Sequence, residues 1–288
     1  MNIQQKINSN NFKVMSIIIT ICFLFFMNLI VSAQGDLFIS PRRVIFEAGK
    51  TTENINLANS GKDTAQYTIS LIHYKMKEDG SFVEITKEEA GTMSAEPYLR
   101  FYPRSVTLAP GEAQVIRVQY NKSSKVASGE YRSHLYFRAT PKLKPLGLET
   151  KDKQSSIGVK LLPVFGLSIP IIIRENVTPA VVTISDIKLV SNADSINNTL
   201  YLTLNRTGAA SCYGDITLIH QDVNGKKHEV GIVKGIAIYF PNELRKVNIP
   251  LIPDAEIQNH KGKLIVQFKT RTGTEGIDGV VTETVIDL

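Results

Sequence analysis

Short apolar runs that alternate with polar residues recur from residue 44 to the end of the chain. In such a run successive side chains point to opposite faces of an extended strand, which is the period-2 signature of β-structure. Turn residues separate the runs. Asp79-Gly80 and Asn224-Gly225 are typical of hairpin turns in which both central residues have positive φ. The pattern predicts strands at 44–46, 54–58, 66–76, 82–85, 115–120, 131–140, 157–173, 181–190, 200–204, 215–221, 229–240, 247–252, 263–270 and 280–288.

The predicted strands divide into two groups of about seven, one before residue 174 and one after it, the number found in immunoglobulin-like sandwiches. Between them, charged residues and then Pro179 end an apolar run, which suits a corner between domains. We therefore predict an all-β fold of two immunoglobulin-like β-sandwich domains, at 34–174 and 175–288. A single large barrel or jelly roll is the alternative.

Residues 14–31 show a different pattern, because here the apolar run is continuous. Lys6 and Lys13 precede the run, and Val31-Ser32-Ala33 closes it with small residues. These are the features of a secretory signal peptide, so we predict that residues 1–33 are removed after export. An uncleaved N-terminal anchor is the alternative. No later run approaches the roughly 20 apolar residues that a spanning helix needs.

Composition and charge narrow the classes of function. With 288 residues, 43% hydrophobic and 21% charged, the chain has the composition of a globular protein. Its net charge of +6 comes from Lys and Arg scattered among acids, so nucleic-acid binding is not predicted. Removal of the signal peptide takes Cys22 with it and leaves Cys212 as the only thiol, so an internal disulfide is excluded. Cys212 is then most simply interpreted as a small buried residue.

Motifs that carry catalysis are missing from the sequence. It contains no G-x-S-x-G, no G-x-x-x-x-G-K-[ST], no H-E-x-x-H and no paired Cys motif. The five His are dispersed over different predicted strands and loops without the spacing of metal ligands. We predict that the protein is not an enzyme and that it uses no metal, cofactor or small-molecule substrate.

The run 157–173 is unusual in its length and apolar character. One face of a strand here would carry only apolar residues, namely Ile157, Val159, Leu161, Pro163, Phe165, Leu167, Ile169, Ile171 and Ile173. Such a strand would span roughly 55 Å, too long for a single sandwich to cover. An exposed apolar strand invites pairing with another chain, which points to donation of a strand to a partner. Two ordinary strands, broken at Pro163 or Gly166, are the alternative.

Three segments resemble the periplasmic pilus chaperones, the PapD-like proteins: Ser40–Glu47, Arg104–Gly111 followed by Gln114–Arg117, and Gly129–Phe137, the last being similar to a motif of the archaic branch. The resemblance covers residues 36–174, whereas only the strand pattern supports it over 175–288. It implies two immunoglobulin-like domains set at an angle around a cleft. It also implies a non-enzymatic periplasmic chaperone that binds pilus or fimbrial subunits and passes them to an outer-membrane usher.

In that family the seventh strand completes a subunit that lacks its own last strand, and a basic cleft anchors the subunit's C-terminal carboxylate. The seventh strand maps onto 157–173 here, and the preceding loop, 141–156, would become ordered when a subunit binds. The predicted donor residues are Ile157, Val159, Leu161, Phe165, Leu167 and Ile169. Arg43 matches the family's first-strand arginine, but Pro170 stands where the family has a lysine. Arg132, whose side chain shares a strand face with His134 and Tyr136, is the predicted substitute.

The alternative class is a pilus subunit or a surface protein built from immunoglobulin-like domains. A subunit would carry a donor extension at its mature N-terminus and would lack one strand. Residues 35–46 instead lead almost directly into the first predicted strand, which disfavours that class.

Overall fold

The computed structural model describes residues 37–85, 93–122, 126–141, 164–190, 198–252, 261–273 and 277–288. These residues form eighteen strands and one 3-10 turn at Glu96–Tyr98. The strands are β1 (Leu37–Ser40), β2 (Val44–Phe46), β3 (Thr52–Asn59), β4 (Ala65–Ile72), β5 (Tyr74–Met76), β6 (Phe82–Glu84), β7 (Leu99–Tyr102), β8 (Ser105–Leu108), β9 (Ala113–Tyr120), β10 (Gly129–Ala139), β11 (Gly166–Glu175), β12 (Val181–Val190), β13 (Thr199–Thr207), β14 (Cys212–Gln221), β15 (Lys227–Ile238), β16 (Leu244–Pro250), β17 (Lys263–Thr272) and β18 (Ile277–Asp287).

The first sandwich packs a four-stranded sheet, β1-β3-β9-β7, against a five-stranded sheet, β2-β11-β10-β4-β8. Alternate residues of both sheets point inward, as period-2 patterning requires, and they form one apolar core. Ile55, Ile116, Phe137 and Ile171 are among its fully buried side chains. A small hairpin, β5–β6, extends from this sandwich after β4.

The second sandwich has seven strands, divided between the sheets β12-β13-β16 and β15-β14-β17-β18. Seven antiparallel strands in sheets of three and four are the arrangement of the immunoglobulin fold. Its core is separate from the first and includes Leu204, Leu218, Ile238 and Phe268, each of them fully buried. The predicted all-β class with two sandwiches is therefore confirmed, while the predicted domain limits, 34–174 and 175–288, stay a prediction.

The two hairpin turns differ from the sequence prediction in their backbone geometry. Gly80 and Gly225 have positive φ, at 82° and 85°, but Asp79 and Asn224 do not. Each loop has five residues between its strands, and each is closed by a hydrogen bond from the glycine N–H to the carbonyl three residues earlier, at Lys77 and Asp222. A two-residue hairpin loop needs positive φ at both of its central residues. In these five-residue loops only one residue, the glycine, needs a left-handed backbone.

Three short strands, β1, β7 and β8, were not in the predicted strand pattern. They have four residues each, and Pro103 separates β7 from β8, so none is long enough to display a clear period. Residues 142–156 of the predicted loop and residues 157–163 of the predicted long strand lie outside the described residues, as does the predicted signal peptide. Among the described residues no helix is long and apolar enough to cross a membrane.

Candidate functional site

The apolar face of β11 passes from a solvated to a buried environment. Phe165, directly before β11, and Leu167 are 49% and 45% exposed, whereas Ile169 is 5% exposed and belongs to the first core. β11 pairs with β10 along its whole length but with β2 only at 171–173, and Ile169 is already buried in the core before that second pairing begins. Within the described residues, 166–170 therefore offer an unpaired backbone edge next to exposed apolar side chains.

The six predicted donor residues therefore do not share one environment. Ile157, Val159 and Leu161 lie outside the described residues. Of the other three, Phe165 and Leu167 face solvent, whereas Ile169 packs in the protein's own core. In the described part of the chain, the strand begins at Gly166.

Arg43, immediately before β2, is only 8% exposed, and its side chain reaches the second sandwich. Its guanidinium carbon lies 3.8 Å from the centroid of the Tyr213 ring. Nη2 donates to the carbonyl oxygens of Gly273, at 3.3 Å, and Arg271, at 3.5 Å. Nε is buried and has no hydrogen-bond partner among the described residues. Burial lowers the pKa of Arg43 because it penalises the charged form.

Arg132 on β10 is held in a similar way. Nη1 donates to the carbonyl oxygen of Phe240 at 3.2 Å, and Nη2 donates to that of Tyr74 at 3.1 Å. The guanidinium carbon lies 4.2 Å from the centroid of the Tyr239 ring. Burial lowers the pKa of Arg132 as well, against the opposing effect of Tyr239.

The two guanidinium groups share one face of the five-stranded sheet. Arg132 is in register with Ile172, which in turn pairs with Ile45, two residues after Arg43. Between the sandwiches an apolar cluster of Ile45, Met76, Ile172, Ala237 and Tyr239 fills this face, and Tyr213 packs against it. Both arginines therefore connect the sandwiches through aromatic rings and backbone carbonyls.

Pro170 lies opposite His134 in the β10–β11 register and has no charged side chain, so it supplies no cation. His134 is 4% exposed and is surrounded by Tyr74, Phe82 and Tyr239, with ring centroids 5.1, 5.8 and 6.3 Å away. Burial, with smaller effects of Arg132 and His73, lowers the pKa of His134 to about 3. Among the described residues no three His, Cys, Asp or Glu side chains are grouped to hold a metal ion.

A network of charges adjoins this cluster at the end of β11. Arg174 donates from Nε to Glu130 and from Nη1 to Glu47, both at 3.0 Å, and from Nη2 to the carbonyl oxygen of Ser211 at 2.9 Å. The backbone N–H and the hydroxyl of Ser211 both donate to Glu130. Although burial opposes it, the two carboxylates raise the pKa of Arg174.

Sequence reasoning did not identify Glu130, Arg174, Tyr213 and Tyr239 as parts of this cluster. They come from strands or strand ends that are distant along the chain, so no local spacing relates them. One signal was available for Glu130, since it shares the predicted strand face of Arg132 and His134. A polar strand face is most often solvated, so this signal alone does not indicate a contact with the second sandwich.

Several solved structures have a similar fold at low sequence identity. The YadV chaperone is 15% identical, with 88% of this chain and 100% of that chain covered, at a TM-score of 0.44. The CupB2 chaperone of Pseudomonas aeruginosa is 12% identical, with coverages of 87% and 100%, at a TM-score of 0.41. The CsuC–CsuE chaperone–tip adhesion subunit complex from the archaic Csu pili of Acinetobacter baumannii is 13% identical, with coverages of 86% and 98%, at a TM-score of 0.44. The chain matches no protein-family model and no curated protein sequence.

Proposed function

We propose that this protein is a periplasmic chaperone that binds pilus or fimbrial subunits and caps them by donor-strand complementation before assembly. One observation carries the proposal: within the described residues, 166–170 present an unpaired strand edge flanked by the exposed apolar side chains of Phe165 and Leu167. An edge of this kind is an aggregation hazard unless a partner strand covers it. The resemblance of residues 36–174 to the pilus chaperones supplies the identity of the partner.

One half of the apolar face of β11 is buried and the other half is exposed, so the strand can both pack in the chaperone and bind a subunit. Ile171 and Ile173 are fully buried and hold β11 in the chaperone, so donation need not unfold the donor domain. Phe165 and Leu167 can enter the core of a subunit that lacks one strand, and the free backbone edge supplies the ladder of hydrogen bonds. Pro170 has no N–H, which suits the point where pairing with β2 gives way to the free edge.

The subunit's C-terminal carboxylate is proposed to bind at Arg43 and Arg132. In support of this, the buried Nε of Arg43 has no acceptor in the described part of the chain, so a carboxylate oxygen would satisfy it. The carbonyl oxygens that now accept from the two guanidinium groups are neutral, and a carboxylate forms stronger hydrogen bonds than they do. Binding would therefore exchange weaker acceptors for a stronger one.

Export by the predicted signal peptide, 1–33, would place the chaperone in the periplasm, where the subunits fold. Transfer of the subunit to an outer-membrane usher is part of the same proposal. It follows from the family resemblance, and it adds no requirement for a cofactor or for catalysis.

The proposal is tested by co-expression with a candidate pilus or fimbrial subunit from the same organism, followed by purification of the complex. Leu167→Asp, or Leu161→Asp, should abolish recovery of the subunit while the chaperone remains folded. Val115→Asp is the matched control, because Val115 is 47% exposed, close to the 45% of Leu167, but lies on β9 in the other sheet. Equal recovery of subunits by wild type and Leu167→Asp would overturn donation by β11.

A further inference from the structure

A groove of about 460 Å³ separates β1 from the solvated half of β11. Its lining consists of Leu37, Phe38, Ile39, Arg42, Ser60, Leu167, Ser168 and Ile169. Both walls are strand edges, since β1 is the end strand of its sheet and residues 166–170 pair only with β10 in the described part of the chain. Phe38, at 51% exposure, adds a second exposed apolar side chain opposite Leu167.

Among the described residues, Arg42 is the single charged residue in the lining of this groove. Its side chain is exposed, and among the described residues it forms no hydrogen bond, ion pair or ring contact. Arg43, the next residue, is buried against Tyr213 and donates to two carbonyl oxygens. The two neighbouring arginines thus serve different surfaces, and the one in the groove has no partner in the part of the chain that the structure describes.

We infer that Arg42 recognises an acidic side chain on the client segment that docks between β1 and β11, and so contributes to client selection. This inference rests on the proposed function. An extended polypeptide is the occupant that fits, because both walls offer backbone donors and acceptors together with apolar side chains. A lone guanidinium among apolar walls selects one carboxylate on such a segment. A phosphate or other polyanion would call for several cations.

Synthetic strands test this without knowledge of the natural client. Fluorescein-labelled peptides of about ten residues, a length typical of a long strand, would alternate Val with Thr and be blocked at both ends. Glu, Gln or Lys would replace each Thr in turn, and fluorescence anisotropy at low salt would give the affinity. At one position, Glu should bind wild type about two- to fivefold more tightly than Gln, and Lys should bind more weakly, as for a partly solvated ion pair.

Arg42→Glu should reverse this order, so that the Lys peptide binds most tightly. Arg117→Glu is the matched control, because Arg117 is also exposed but lies on the outer face of β9, away from the groove. It should keep the wild-type order. A preference for Glu that survives in Arg42→Glu would overturn the inference.

The remaining outcomes separate the inference from the proposed function. If wild type binds all peptides equally and Leu167→Asp binds none, donation stands and recognition by Arg42 is wrong. If wild type binds no peptide, or if Leu167→Asp binds all of them as wild type does, the edge is not a docking site and both proposals fail.

Discussion

Arg174 and Glu130 form a buried ion pair, in which Nε of Arg174 lies 3.0 Å from Oε2 of Glu130. The Glu130 side chain is fully buried and also accepts both hydrogen bonds from Ser211 of the second sandwich. A single carboxylate on β10 therefore connects the last strand of the first sandwich to the start of β14 in the second.

Removing this carboxylate should cost far more than removing an exposed one. Glu130→Gln leaves the Arg174 charge partly buried with a weaker acceptor, and we expect the free energy of unfolding to fall by about 3 kcal/mol. Lys246 and Glu78 form an exposed pair at 2.8 Å, which solvent screens, so Lys246→Ala should cost much less than Glu130→Gln. Urea unfolding of both variants measures the difference, and equal losses would contradict the assigned role of Glu130.

Because one half of the apolar face of β11 is buried and the other exposed, alanine substitutions on that face should change the free energy of unfolding by different amounts. Ile171→Ala creates a cavity at a fully buried site and should lower the free energy of unfolding by about 2–5 kcal/mol. Leu167→Ala, on the same face but 45% exposed, should change it by less than about 1 kcal/mol. The same urea titrations decide this, and a large loss for Leu167→Ala would show that the exposed half is packed in solution.

This contrast also shows what the sequence could and could not predict. The alternation over 157–173 placed Leu167, Ile169 and Ile171 on one face, and the structure agrees for the residues it describes. It could not indicate that burial begins at Ile169, because burial depends on how the rest of the sandwich packs around the strand, including β2, which lies more than a hundred residues earlier. Strand-local patterns encode the face of a side chain, whereas its partners are set by topology.

The same limit applies to the charged cluster. The sequence placed Arg132 and His134 on one face of a strand, and both do lie on the face that contacts the second sandwich. Nothing in the spacing of Arg42 and Arg43 showed that the first would line a groove and the second would stack on Tyr213. That difference depends on the docking of a second domain, which period-2 patterning does not describe.

His134 predicts a loss of stability on mild acidification. Burial lowers its pKa from 6.5 to about 3 in the folded protein, so the unfolded chain binds a proton more readily below pH 6.5. The His134 contribution is constant above that pH and becomes increasingly unfavourable as pH falls toward 3. Between pH 7 and pH 5 we expect it to remove about 2 kcal/mol.

The measurement is urea unfolding at both pH values for wild type, His134→Phe and His228→Gln. His134→Phe should reduce the acid-induced loss by that amount, whatever its effect at pH 7. His228, which is partly exposed on β15, serves as the control and should leave most of the loss in place. An identical pH dependence in wild type and His134→Phe would show that His134 is solvated when unprotonated.

The hairpin glycines predict different costs for the same substitution. Both have positive φ, so Gly225→Ala should cost about 1 kcal/mol from backbone strain alone, since its nearest contact is the Gln221 amide nitrogen at 3.7 Å. At Gly80 an added Cβ would meet the Arg245 guanidinium, which is held by a 2.8 Å hydrogen bond to the carbonyl oxygen of Ala237. Gly80→Ala should therefore cost more, and comparable losses in thermal unfolding would indicate that Arg245 moves freely.

The proposed anchor predicts selectivity for a free carboxylate, and this separates anchoring from the structural contacts that Arg43 and Arg132 also make. A peptide copying the C-terminus of the client subunit should bind at least about tenfold more tightly with a free carboxylate than with an amide, because charge-assisted hydrogen bonds to a buried guanidinium contribute about 1.5–3 kcal/mol. In Arg43→Ala and Arg132→Ala the two peptides should bind alike. If the arginines only connect the sandwiches, each substitution would weaken the binding of both peptides by the same factor, and the preference for the carboxylate would persist.

Arg43→Lys refines the result, since it keeps the charge but loses the bidentate fork, and it should retain only part of the preference.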